Sequence, residues 1–215
     1  MAQSPAVESS SDVGQLIELA YSAMSGWELV AVVLALAYLL LVMRQRIECW
    51  YAAFISTGIY IFLFWDANLL MESALQIYYL LMAVYGWYQW RGPGQTQANI
   101  PIRRWSLAQH SRAVVLVLVL TLLSGYLLQQ NSSAAWPYVD SFTTWASVVT
   151  TYMVAKKVLE NWLYWLLIDA VSMVLYVDRG LYLTALLFGL YLIIVCFGYR
   201  QWRRNYRQQL SASAL

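Results

Sequence analysis

The stretch RIECWYAAF, residues 46–54, has a counterpart in VLENWLYWL, residues 158–166. In both, a glutamate stands two places before a tryptophan: Glu48 before Trp50, and Glu160 before Trp162. Sliding the chain by the same 112 positions also pairs Asp66 with Asp178, Tyr79 with Tyr191, Gly86 with Gly198, Gln89 with Gln201 and Trp90 with Trp202. Val42, Leu63, Leu69, Leu75 and Leu80 match as well, giving 12 identities over residues 42–90. Chance explains matched leucines in an apolar chain. It does not readily match glutamate, aspartate, glycine and tryptophan in one register, so a module is present twice.

The composition says where that module sits. Of 215 residues, 61% are hydrophobic and only 11% are charged, against about 25% charged in soluble domains. Such a chain cannot cover a soluble fold with polar surface, and a bilayer is its expected solvent. The net charge of +2 makes no case for a nucleic-acid partner. Cys49 and Cys196 lack the number and spacing of a disulfide framework or a metal site, and read as small hydrophobes. Residues 1–15 carry no basic side chain and no early apolar run, so they do not read as a cleaved signal peptide. Residues 16–24 read as a short interfacial helix or a loose lead into the first span.

Apolar runs able to cross a bilayer fall at about 27–43, 48–65, 69–89, 112–129, 139–155, 162–177 and 181–200. Tryptophans gather at their ends: Trp27, Trp50, Trp65, Trp87, Trp90, Trp136, Trp162 and Trp202, which reads as an interfacial belt. With seven spans, 12 of the 13 basic residues fall on one side, only Arg179 on the other. The positive-inside rule then places the N-terminus outside and the C-terminus in the cytoplasm. The expected class is an all-α integral membrane protein with seven transmembrane helices. Spans one to three match spans five to seven, with the fourth as a connector that restores direction, a 3+1+3 plan of parallel repeats. The expected division is a tail at 1–26, a first repeat at 27–90, a linker with helix four at 91–138, a second repeat at 139–202 and a cytoplasmic tail at 203–215. Parallel repeats place a substrate site near the midplane between them.

Glu48 and Glu160 start spans two and six and read as helix caps. Asp66 and Asp178 read as turn residues. Asp169, mid-way along span six, is the costliest group at membrane depth, where ionisable side chains face a cavity or the bundle interior. Glu72 and Gln76 lie early in span three. Helical spacing puts Trp162, Trp165, Asp169, Ser172 and Tyr176 on one face, and Glu72, Gln76 and Tyr79 on another. Asn161, Tyr78 and Tyr191 extend the set. The span-two positions matching the span-six stripe are Trp50, Ala53, Thr57, Tyr60 and Phe64, a copy without charge. The candidate substrate-binding residues are therefore Trp50, Glu72, Gln76, Tyr78, Tyr79, Asn161, Trp162, Trp165, Asp169, Ser172 and Tyr191. Aromatic walls suit a flat ring, a cationic ring gains attraction to them, and amides and hydroxyls suit a sugar. For each of these residues, helix–helix packing is the plainer alternative.

ENWLYW, residues 160–165, and YGWYQW, residues 85–90, resemble the PnuC-type transporters, and the seven-span plan is similar to theirs and to that of SWEET sugar transporters. The resemblance covers roughly residues 27–204. It implies import of nicotinamide riboside across a bacterial inner membrane by facilitated diffusion, with trapping by a cytoplasmic kinase. It also implies binding roles for Trp162, Trp165 and Asn161. No catalytic residue, metal or cofactor is expected, and a homo-oligomer is left open. The alternative is another flat vitamin, thiamine or riboflavin, or a sugar, with or without proton coupling. A retinal-type photoreceptor is disfavoured, because Lys156 and Lys157 lie at a span end. An intramembrane enzyme is disfavoured too: the single histidine, His110, has no metal-ligand or nucleophile spacing around it and reads as an interfacial polar residue.

Overall fold

The computed structural model describes residues 26–66, 70–91, 100–131, 136–178 and 182–213, the side chains of 70–72, 74, 182 and 183 apart. The expected interfacial helix at 16–24 lies outside the described residues. Among the described residues seven helices follow one another: α1 (Gly26–Met43), α2 (Cys49–Asp66), α3 (Leu70–Arg91), α4 (Leu107–Asn131), α5 (Pro137–Ala155), α6 (Asn161–Asp178) and α7 (Tyr182–Ser213). This is an all-α multi-pass membrane fold. The expected spans fall on the helices one for one, but α4 begins earlier, at Leu107. The segment read as a C-terminal tail continues α7 as helix through Ser213.

Length and hydropathy alone qualify α1, α2, α4 and most of α7 as spans. The other three are more polar because of what they turn inward. On α5 the buried residues include Ser141, Ser147, Thr150 and Thr151; on α6 they include Asn161, Asp169 and Ser172. Small and hydroxylated residues are the usual contacts between helices in lipid, where apolar side chains gain nothing by leaving the tails.

Consecutive helices pack pairwise, except that α4 stands apart from α3. The first contacts between distant elements are α3 against α5 and α1 against α7. Six helices thus close a ring in the order α1, α2, α3, α5, α6, α7. Helix α4 lies outside this ring, packed along α5 and meeting α6 through the side chains of Val117 and His110. It is fastened to α5 by the Trp145 indole, whose N–H donates to Ser124 Oγ at 3.0 Å, and by the Tyr138 ring seated on Gly125. Its other face exposes Val115, Leu118, Leu122 and Tyr126, an apolar surface for lipid.

The turns α1–α2 and α5–α6 are built alike. Each helix ends on a residue with positive φ, Gln45 at 57° and Lys157 at 50°. In each, two backbone bonds close a Schellman motif: Arg46 N–H to Leu41 O and Gln45 N–H to Val42 O, then Val158 N–H to Met153 O and Lys157 N–H to Val154 O. Every member of the second set stands 112 positions after its partner in the first. Neither position is a glycine, although the left-handed region costs other residues about 1 kcal/mol.

Tryptophans read as interfacial anchors divide into two groups. Trp27, Trp65 and Trp136 are exposed at helix ends, as a belt requires, whereas Trp50, Trp90, Trp162 and Trp202 are each no more than 2% exposed. The second group points inward, which corrects the belt reading for Trp90 and Trp202 and leaves Trp50 and Trp162 on the inward stripes that helical spacing gave them. The four rings form a row across the ring of helices, with centroids 5.4 Å apart for Trp50 and Trp90, 6.3 Å for Trp90 and Trp202, and 5.5 Å for Trp202 and Trp162. Room for them comes from glycine. A Cβ on Gly86 would lie 2.3 Å from Trp50, and one on Gly198 would lie 2.5 Å from Trp162.

Candidate functional site

The row of tryptophans lies at the end of the bundle that carries the basic loops. The Trp90 indole N–H donates to Ala155 O at the end of α5, and the Trp202 indole N–H to Val42 O at the end of α1, both at 3.1 Å. Arg44, which follows α1, and Lys156, which follows α5, therefore sit at one end. Lys157 is buried there too, its ammonium 4.5 Å from the Trp90 ring centroid. Burial pushes its pKa down to about 8, with the nearby Cys49 opposing the shift.

The loop before α4 is fastened across this end. The Arg103 N–H donates to Lys157 O at 2.9 Å, and the Leu159 N–H donates to Arg103 O at 2.8 Å. The Ile102 N–H donates to Gln209 Oε1 on α7 at 3.1 Å. Glu160, expected as a cap, instead binds this loop: its carboxylate accepts from Arg104 Nε at 2.7 Å and from the Trp105 N–H at 3.3 Å. Its counterpart Glu48 pairs with Arg46, whose guanidinium holds the carboxyl below its usual range. Both carboxylates find a guanidinium, whose N–H donors give charge-assisted hydrogen bonds with fixed geometry. Asp178, read as a turn residue, accepts the Trp136 indole N–H at 2.8 Å and so joins α5 to α6. His110 is also more than an interfacial residue: its Nδ1 lies 2.9 Å from the Tyr164 hydroxyl, ring stacked on ring.

The candidate binding residues fall into two layers. Trp50, Trp162 and Asn161 belong to the basic end. Asn161 is buried, its amide donating to Val158 O at 2.6 Å while Oδ1 has no partner among the described residues. Trp165 is half-buried and packs against both the cluster that contains Trp162 and the Val117–Ala146–Ile168 cluster between α4, α5 and α6. Asp169 and Ser172 lie deeper on α6. At about 1.5 Å per residue, Asp169 is about 12 Å beyond Asn161.

Asp169 is 4% exposed and Ser172 is 6% exposed. Tyr191, on α7, lies within electrostatic reach of Asp169 and also of Tyr60 on α2, across the ring. Tyr176 stacks on Phe188 with centroids 5.2 Å apart, and Phe188 meets Tyr191 edge-on. Tyr60 stacks on Phe64. Asp169 makes no hydrogen bond or ion pair among the described residues. A carboxylate at a helix centre costs roughly 3 kcal/mol in a bilayer unless something compensates it.

Tyr79, the counterpart of Tyr191, reaches from α3 to Ser147 on α5 and stands near Tyr38 on α1. Tyr78 donates its hydroxyl to Val148 O at 2.8 Å, which fixes it to α5. Gln76 is half-buried one turn away, and the Glu72 side chain lies outside the described residues. Sequence reasoning passed over Tyr38 and gave Tyr60 no binding role. The repeat register was the available signal for Tyr60, which stands opposite Ser172 at the offset of 112. Among the described residues there is no cluster of metal-ligating side chains.

A multi-pass helical ring with a buried carboxylate and tyrosines near it at mid-depth has the architecture of a membrane transporter. The family model described as "Nicotinamide mononucleotide transporter" matches residues 25–204, and the chain belongs to that family, one of transporters and not of enzymes. A riboflavin/roseoflavin transporter, RibM of Streptomyces davaonensis, is 27% identical to it over 86% of this chain and 90% of its own length. The nicotinamide riboside transporter PnuC of Escherichia coli is 23% identical, over 86% of this chain and 88% of its own. The crystal structure of a vitamin B3 transporter PnuC shares the fold, with a TM-score of 0.69 at 20% identity, covering 90% of this chain and 87% of that one.

Proposed function

We propose that the protein imports nicotinamide riboside by facilitated diffusion, through a site between two parallel three-helix repeats, residues 27–90 and 139–202, with α4 as the connector. The observation that carries this is Asp169: mid-depth, buried, without a partner on the described chain, and beside a tyrosine that also meets the opposite half. A cationic pyridinium ring compensates that carboxylate, and the surrounding tyrosines offer it faces and hydroxyls. Tyr79, Tyr78, Gln76 and Ser172 complete the site, with Glu72 at its outer edge. Trp50, Trp162, Trp165 and Asn161 bound it toward the basic end. The matching Schellman turns, glycine–tryptophan contacts and crossing indole bonds support the repeat arrangement.

In this conformation the four buried tryptophans, Lys157 and the latched loop close the basic end. Access there requires the halves to rock apart at the row between Trp90 and Trp202. The basic end faces the cytoplasm of a bacterial cell and the N-terminus faces outward, because the basic loops share that end. Net import then needs only consumption of the riboside inside, by phosphorylation.

Riboflavin transport is the second reading, favoured by the 27% identity to RibM. Riboflavin is neutral, so it leaves Asp169 uncompensated. Binding of nicotinamide riboside, riboflavin, thiamine and glucose to the purified protein separates the readings. Nicotinamide riboside is expected to bind tightest; no measurable binding of it removes the assignment. Uptake into vesicles that is unaffected by an imposed pH gradient is expected for facilitated diffusion, and acceleration by the gradient would replace it with proton coupling.

A further inference from the structure

Outside the ring, α3 and α4 both lean on the α5 side of the bundle without touching each other, and a cleft of about 720 Å³ opens between them. Its inner part is apolar, lined by Met82, Leu116, Val148 and Val149. Its rim at the basic end is formed by Arg103, Arg104, Arg112 and Lys156, and no acidic residue lines it. Two of these cations are engaged: Arg104 by Glu160, and Lys156 by Gln89 Oε1 at 3.2 Å. Arg103 and Arg112 are exposed and make no side-chain hydrogen bond or ion pair among the described residues.

The backbone positions that carry these two guanidinium groups are fixed. The Arg103 backbone is latched on both sides to the α5–α6 turn, and Arg112 stands in the second turn of α4. Directly beyond Arg112, Val115, Leu116 and Val119 line an apolar groove on the outer face of α4. Cationic groups at headgroup level, above an apolar slot open to the side, match the two ends of a phospholipid. Arginine binds phosphate through paired N–H donors, and basic pockets between helices on the cytoplasmic side attract anionic headgroups.

We propose that this cleft binds an anionic phospholipid of the leaflet at the basic end. Its phosphate rests on Arg103 and Arg112, and one acyl chain runs along Leu116 and Val119. The lipid fills the gap between α3 and α4, so that the peripheral helix is held by lipid where protein contact is missing. The apolar cleft and the apolar groove beside it, which share Arg112 and Leu116, assign the site to a lipid and not to free phosphate.

Native mass spectrometry of the purified protein tests this with equal additions of phosphatidylglycerol and phosphatidylcholine. The wild type is expected to retain phosphatidylglycerol about tenfold better. Arg103→Gln with Arg112→Gln is expected to bring the two lipids to parity. Arg203→Gln with Arg207→Gln, which removes equal charge from the exposed end of α7, should leave the preference intact. Leu116→Glu, at a lipid-facing position, gives a second route to the same loss should the arginine pair fail to fold. Parity in the wild type, or equal loss in both double variants, overturns the site. So does displacement of the lipid by millimolar inorganic phosphate, which makes it a free-anion site. A change of oligomer mass in the Arg103/Arg112 variant with lipid retention unchanged assigns the cleft to a second copy of the chain instead.

Discussion

Trp90 and Trp202 stand 112 positions apart in sequence, and their rings meet 6.3 Å apart at the basic end of the bundle. Each donates its indole N–H across the ring of helices, to the last residues of α5 and α1 respectively. The pair therefore ties the third helix of each set to the first helix of the other. Replacing either by phenylalanine keeps a ring and removes one bond, worth about 1 kcal/mol. Trp90→Phe and Trp202→Phe are expected to lower the thermal unfolding midpoint by similar amounts. The double variant is expected to lose a different amount from the sum, because the rings touch. Strict additivity would argue that the two halves are not coupled through this contact.

Gly86 and Gly198 make room for Trp50 and Trp162. An added Cβ would overlap each indole, so Gly86→Ala and Gly198→Ala should each destabilise the protein by about 1–3 kcal/mol. Gly58 has nothing within 4 Å of such a Cβ, and Gly58→Ala should be neutral or mildly stabilising. Thermal unfolding of the three variants in one detergent measures the contrast.

Lys157 is buried, with its pKa pushed down to about 8 from 10.5. Between those values the unfolded chain holds a proton that the folded chain releases. Stability is therefore expected to rise as pH increases from about 8 toward 10.5. Below pH 8 the full cost of the buried charge is present. Lys157→Met should raise the unfolding midpoint at neutral pH and flatten this rise. An unchanged profile would mean that the lysine is hydrated in the folded protein.

Asp169→Asn should weaken nicotinamide riboside binding about tenfold, the loss of about 1.4 kcal/mol, while leaving riboflavin binding unaffected. Tyr191→Phe, which keeps the ring and removes the hydroxyl beside the carboxylate, should have a smaller effect. Trp162→Ala should lower the unfolding midpoint more than it weakens binding, since this ring is packed on Gly198 and Trp202. Titration of purified variants with both vitamins reads these outcomes. Equal losses for both vitamins with Asp169→Asn would mean that the carboxylate supports the fold and not the charge of the substrate.

Much of the architecture is legible in the residues. The offset of 112 is carried by Glu48, Trp50, Gly86 and Trp90, whose types are rare enough to fix a register. The spans follow from apolar length, and the basic loops at one end follow from charge placement. Asp169 is conspicuous as an acid inside an apolar run. The inward orientation of Trp90 and Trp202 was not legible. A ring at a helix end can face headgroups or a neighbouring helix, and the choice depends on rotation about the helix axis. That rotation is set by contacts with the other helices. Glu160 was not legible either, because its partner Arg104 is 56 residues away and no local spacing links them. The positive φ at Gln45 and Lys157 left no glycine to announce it.

The sequence by itself determined the solvent, the approximate places of the spans and a register of 112 positions between two stretches, because hydropathy and register are properties of residues in order. Only the tertiary structure decided which rings face inward, which carboxylates are paired and which is buried without a partner among the described residues. Those depend on distances between helices far apart in the chain. In lipid, where apolar contact discriminates weakly, such distances are set by a few glycines and indole N–H groups that find their partners once the ring has closed.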